Sequence, residues 1–285
     1  MSTHITTAFS QQFSTNVQLL SQQMGSILRA AVSEESVTGE KAFFDNVGSS
    51  AAVKRTSRHQ DTPLVETPHD RRMVTLETYE WADLIDEADK VQMLIDPTST
   101  YARAAAAAMG RAMDDSIIAA ATGSALTGKT GGTSTALTQT IADGSADMTV
   151  AKLIEAKKKL DDGSVDPSIP RHIVVGPDQI EALLGTTSVT SSDFNTVKAL
   201  VQGEIDTFMG FKFHTSTRLS KSGNIRKCFA FAEDGLKLAV GKDVMSEIER
   251  RADKSYSTQV FYCASFGATR MEEAKVVSID CDEAA

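Results

Sequence analysis

Residues 39–86 carry a long polar hairpin pattern that a small core could not order alone. The segment reads GEKAFFDNVGSSAAVKRTSRHQDTPLVETPHDRRMVTLETYEWADLID. Two runs with strand character, 50–56 and 73–79, flank a middle that holds Lys54, Arg55, Arg58, Pro63, Pro68, Arg71 and Arg72. An isolated two-stranded hairpin is marginally stable at best in water. A polar tip buries too little apolar surface to offset the entropy of fixing it. Such a tip must lie on a partner or remain mobile, which points toward assembly before catalysis.

A second constraint comes from residues 97–122. Asp96 suits an N-cap, Pro97 the first helical position, and Gly123 a left-handed stop. Between them the chain is rich in alanine, the best helix former. At about 1.5 Å per residue this helix is about 39 Å long, enough to brace an extended molecule. Tyr101, Ala105, Met109, Met113 and Ile117 recur at steps of four and predict one buried stripe. Residues 7–31 read as an amphipathic helix with Phe9, Phe13, Val17, Leu20, Met24, Leu28 and Ala31 on one face. Its other face is Gln, Ser, Asn and Thr, so both an ordinary core helix and a contact-making one fit.

Residues 123–148 are rich in Gly, Ser and Thr and read as a connector or mobile loop, with a domain boundary inside it. Beyond it the pattern predicts a helix over 149–161 through Val150, Leu153, Ile154 and Leu160, then a buried strand at 172–175. Gly176-Pro177-Asp178 opens another helix that ends at Gly185. Strand-like runs follow at 211–215, 227–231, 236–240, 246–250, 258–266 and 275–280, several alternating apolar and polar residues. The class is mixed α+β.

Composition narrows the function. The chain has 285 residues and a net charge of −9, a poor balance for gripping nucleic acid through many phosphate contacts. No apolar run approaches the roughly 18 residues of a membrane span, and the N-terminus lacks the pattern of a secretion signal. Cys228, Cys263 and Cys281 form no CxxC pair or metal-ligand spacing, so reduced thiols and no metal site are expected. Residues 123–130, GSALTGKT, satisfy the phosphate-cradling pattern GxxxxGKT. That chemistry needs a buried strand before the loop and a helix after it. Here a long helix precedes and Gly131-Gly132-Thr133-Ser134 follows, so a nucleotide hydrolase through Lys129 is the disfavoured alternative. His4, His59, His69, His172 and His214 sit in no catalytic motif. No catalytic residue, cofactor site or enzyme activity is expected.

The phrases FFDNVGS, AVKRTSRHQDTPLVETPHDRR, YEWADLIDEADKVQMLIDPTSTYA and GRAMDDSIIAAATG resemble the major capsid protein of tailed bacteriophages, with the Hong Kong 97-type coat fold. An encapsulin-like cargo shell, which shares that fold, is the nearer alternative. The resemblance implies an N-arm at 1–36, an extended E-loop hairpin at 37–80, and a peripheral P-domain at 81–146 with a spine helix at 97–122. It further implies an axial A-domain at 147–235, P-domain return strands at 236–273, and a final A-domain strand at 274–285. No segment precedes the N-arm, so a separate scaffold or unaided assembly is implied. The implied function is a virion protein, assembled in the bacterial cytoplasm into an icosahedral head around double-stranded DNA. Its partners would be its own copies in hexamers and pentamers, with portal, scaffolding or decoration proteins and no membrane. Phe9, Phe13, Val17, Leu20, Lys54, Arg55, Arg58, Arg71 and Arg72 are the expected subunit-interface residues. The hairpin arginines are expected to face acidic residues of a neighbour, drawn from Asp83, Asp86, Glu87, Asp89, Asp114 and Asp115.

Overall fold

The computed structural model describes residues 22–85, 98–185 and 207–284. In chain order its elements begin with β1 (Ser33–Ser36), β2 (Lys41–Val47), β3 (His69–Thr75), β4 (Glu77–Ile85) and the long helix α1 (Thr98–Thr122). Short strands β5 (Ala125–Thr127), β6 (Thr133–Thr135) and β7 (Thr140–Ile141) come next, followed by α2 (Val150–Asp162), β8 (Arg171–Val175) and α3 (Pro177–Gly185). The last part holds β9 (Thr207–Phe208), β10 (Phe211–Thr215), β11 (Lys221–Ser222), β12 (Ile225–Ala232), β13 (Leu236–Arg250), β14 (Thr258–Arg270) and β15 (Val276–Asp282).

Two compact units result. One comprises Met1–Ser26, Thr78–Arg111 and Asp243–Ala264, the other Ile27–Glu77, Ala112–Lys242 and Ser265–Ala285. In the first unit, Gly110 of α1 lies so close to the backbone of Gly25 and Ser26 that a Cβ would sit 2.6 Å from the Ser26 nitrogen. Arg111 fixes the same stretch by donating to the Gln22 side chain and the Gln23 carbonyl at 3.0 and 3.1 Å. The outer length of β13, residues 241–250, is exposed throughout. Its turn toward β14 is pinned by Arg251, whose hydrogen bonds hold the Asp253 carboxyl down to about 2.

The second unit is built on a seven-stranded sheet of order β7-β15-β12-β8-β10-β9, with β11 paired to β12. Every residue of β8 is buried, as befits a strand covered on both faces. It pairs parallel with β10 and antiparallel with β12. Thr149 caps α2 by accepting from the Lys152 amide at 3.3 Å. Leu153, Ala156 and Leu160 form the buried face of that helix. A smaller sheet, β2-β3-β5-β6, shares the unit.

The elements differ from the sequence reading in six places. Residues 22–28 are not helical: the Ile27 and Leu28 amides donate to buried Asp114 at 3.1 Å each, and Gly25 has φ +83. Met24 is accordingly 55% exposed, while Leu28 is fully buried. The hairpin strand preceding the polar tip is β2, not 50–56. Phe44 anchors it in a cluster with Val74, Ala239 and Met271, and 50–56 has no comparable side chain to bury. Gly123 ends α1 without a positive φ; a Cβ there would lie 2.5 Å from the Ala119 carbonyl oxygen. Residues 123–148 are ordered as β5, β6 and β7, with Ala125, Thr127, Ile141 and Met148 buried. Ile154 points outward at 53% exposure, and 236–240 and 246–250 are one continuous strand. The stripe along α1 is buried at Ala105, Met109, Met113 and Ile117, as the periodicity predicts. Asp96, Pro97 and the helix face from Phe9 to Leu20 lie outside the described residues.

The C-terminal segment is tied to the large sheet by Glu283. Its carboxylate receives Arg226, Lys221 and Gln179, and the Arg226 hydrogen bond above all holds its pKa down to about 2. A depressed carboxyl contributes stability above its unfolded value and loses it as pH falls toward the folded one. Acid unfolding should therefore lose stability between about pH 4.5 and 2. E283Q should cost about 1–2 kcal/mol at pH 7 and flatten that acid dependence in urea titrations.

Candidate assembly surface

The hairpin predicted from the sequence exists, with its ladder at the base and no ladder toward the tip. β2 and β3 pair antiparallel from Lys41↔Thr75 to Val47↔His69. Residues 48–68 then form no strand. Residues 48–66 are all exposed, including Val53, Val65 and Leu64, the last at 97%. Lys54, Arg55 and Arg58 lie on this stretch, and Arg55 donates only locally, to the Ser57 carbonyl at 2.8 Å. His59 has φ +60 and marks the bend.

The base is held differently. Arg72 is 4% exposed and donates to the Met271 carbonyl at 2.9 Å and to Glu273 at 2.8 Å. Glu273 lies 3.6 Å from the guanidinium of Arg270, which is fully buried. Arg270 donates to the carbonyls of Ala120, Ala121 and Gly123, at 3.4, 3.3 and 2.7 Å, and to Thr135 at 3.0 Å. Those carbonyls are the ones an α-helix leaves unsatisfied at its C-terminus, where a cation is favoured. Burial pulls the Arg270 pKa down, with Glu273 opposing, yet an arginine remains charged at any ordinary pH. Asn46 donates to the same Met271 carbonyl at 2.9 Å, and the Lys237 ammonium sits 4.6 Å from the Phe44 ring centre. One charged knot thus joins the hairpin base, the end of α1 and the turn after β14.

The expected interface residues therefore separate into groups. Lys54, Arg55 and Arg58 are exposed and lie on the same loop. Arg71 pairs with Asp45 of its own hairpin, which lowers the Asp45 pKa. Arg72 is committed inside its own chain, because a buried guanidinium needs a carboxylate beside it. Within the subunit, Arg71 and Arg72 are taken up by these pairings. Asp114 and Asp115 are likewise engaged, the first by Ile27 and Leu28, the second by Arg218. Phe9, Phe13, Val17 and Leu20 lie outside the described residues. Arg270 and Glu273 were missed by sequence reasoning; their only signal is a charged i,i+3 pair at a strand end, which ordinarily marks a solvated turn.

The GxxxxGKT stretch spans β5 and a tight turn into β6, with Gly128 and Gly131 at positive φ and Lys129 exposed. It has no helix N-terminus behind it to receive a phosphate. Among the described residues, no group of three or more His, Cys, Asp or Glu side chains is placed to hold a metal ion. No helix among them is long and apolar enough to cross a membrane.

A family model described as phage capsid protein matches residues 5–283. The chain belongs to the phage capsid protein family. It is a structural protein of the phage head shell, in a family whose members are not enzymes in general. The fold agrees. The capsid of Cyanophage P-SCSP1u is similar with a TM-score of 0.76 at 16% identity, over 99% of this chain and 95% of that one. The capsid of Helicobacter pylori bacteriophage KHP30 is similar at 0.73 and 9% identity, over 99% and 98%. The Cyanophage Pam1 capsid is similar at 0.72 and 12% identity, over 98% of each chain. No curated protein sequence matches the chain.

The knot and the loop should respond differently to substitution. R270M should destabilise the capsid subunit by about 3–5 kcal/mol, as breaking a buried ion cluster does, and R72E should do so comparably. R71Q, on the exposed Asp45 pair, should leave the urea midpoint nearly unchanged.

Proposed function

We propose that this chain is the major subunit of an icosahedral head in the Hong Kong 97-type arrangement, closing as hexamers and pentamers around double-stranded phage DNA. The observation that carries this reading is the exposed loop 48–68 projecting from a hairpin base fixed by buried charge. A lone subunit gains nothing from such a loop, whereas a neighbour can bury it, and closed rings repeat the contact at every copy. In this reading 1–36 is the N-arm, with Phe9, Phe13, Val17 and Leu20 as its contact face, and 37–80 is the E-loop. The helix α1 is the spine of a peripheral domain at 81–146 and 236–273. The region 147–235, with 274–285, is the axial domain. Lys54, Arg55 and Arg58 are the hairpin charges offered to a neighbour, in place of the internally paired Arg71 and Arg72.

The net charge of −9 suits storage of DNA driven in by a motor better than tight adhesion to it. Assembly would take place in the host cytoplasm, with portal and scaffolding or decoration proteins contributed separately.

Negative-stain microscopy of the purified protein, with added scaffold if required, distinguishes shells from small rings and monomers. The triple reversal K54E/R55E/R58E should abolish or strongly reduce shells while the subunit keeps its circular-dichroism spectrum and urea midpoint. Salt should weaken wild-type assembly, since exposed pairs are screened. Normal shells from the reversed protein would show that the loop docks without its charges.

A further inference from the structure

The seven-stranded sheet holds a histidine pair outside the hairpin. His172 of β8 is 5% exposed, and its Nδ1 lies 3.0 Å from Nε2 of half-buried His214 on β10. Their ring centres are 5.2 Å apart, and His172 also stacks on Phe231 of β12 at 5.5 Å. In the parallel ladder His172 stands opposite Lys212, and His214 opposite Val174. The two imidazoles therefore bridge the strands diagonally on one face, since residues two apart share a side. From β12, Phe231 and Phe229 stand opposite His172 and Val174. Lys212 is the charged group that β10 presents, and β12 presents none there.

Two imidazole nitrogens at 3.0 Å hold one hydrogen between them. Nε2 of His172 is buried and has no hydrogen-bond partner among the described residues. The tautomer that avoids an orphaned N–H leaves this nitrogen bare and donates from Nδ1 to His214. An added proton then has no good place. On Nε2 of His172 it creates a buried cation without an acceptor, beside Lys212. Placing the charge on His214 reverses the shared hydrogen bond and leaves the same Nε2–H orphaned.

We propose that His172 and His214 form an acid-sensitive latch between β8 and β10. Neutral, the pair holds the β9–β10 hairpin to the sheet; protonated in mild acid, it lets that hairpin open. Burial first, and the Lys212 charge second, hold the His172 pKa below its ordinary value, in agreement with the geometry. The folded form binds the proton more weakly than the unfolded chain. The latch's contribution is therefore complete above about pH 6.5 and falls as pH drops toward the folded pKa.

Native-state amide exchange of residues 207–215, corrected for intrinsic rates, reads the latch between pH 7.5 and 5. Wild-type protection should fall by up to about tenfold per pH unit below pH 6.5, the slope for one proton, while 150–162 stays level. H172F should remove the dependence. K212Q changes an exposed side chain and so keeps the test open if H172F does not fold. By raising the folded His172 pKa, it should leave more protection at pH 5 than wild type has. Nitrogen-15 shifts should show Nε2 of His172 unprotonated at pH 7.5. Flat wild-type protection, unchanged dependence in H172F, or a protonated Nε2 would each overturn the proposal.

Discussion

A fully buried guanidinium, that of Arg270, sits where three segments of the chain must meet. Removing such a cation from water costs several kcal/mol unless nearly every donor finds an acceptor. The chain meets most of that demand with the last carbonyls of α1 and the Thr135 carbonyl, and the Glu273 carboxylate supplies the counter-charge that Arg270 shares with the buried Arg72 of the hairpin. The geometry is mutually constraining. If α1 ended a residue later, or β3 slipped in register, a charge would be left without its partner. A one-residue slip would also turn Phe44 and Val74 out of their cluster. The knot therefore fixes both where the helix ends and the angle at which the hairpin leaves.

Under the proposed function, a rigid base and an unsupported loop are the two things a shell subunit would need in one hairpin. The base must present the loop in one direction in every copy. The loop must remain unsatisfied within its own chain, so that neighbours and not self-contacts complete it. Residues 48–66, exposed with no strand partner, meet the second condition, and Arg72 meets the first.

Much of this was legible in the sequence, for physical reasons. The alanine-rich helix, the buried strand at β8, the Pro177 helix start and the four-step stripe on α1 depend on local propensity and periodicity. The polar hairpin was visible because a lack of apolar residues is itself a signal. What escaped were features decided by partners far along the chain. Arg72 looked like one more loop charge until Glu273, about two hundred residues on, was brought beside it. Residues 22–28 continue a helical pattern, but Asp114 captures their amides instead. The Gly, Ser and Thr of 123–148 resemble a linker, yet β5 gains order by adding to β3. Ile154 matched the helical period and still faces outward, where a subunit interior has no claim on it.

The central claim is that the hairpin is fixed at its base by its own chain and at its tip only by other copies. Hydrogen–deuterium exchange on free subunits and on assembled particles of the same protein tests it directly. The account predicts that 69–75 is protected in both, while 48–68 exchanges freely in the subunit and becomes protected in the particle. A tip already protected in the free subunit, or still unprotected in the particle, would contradict it.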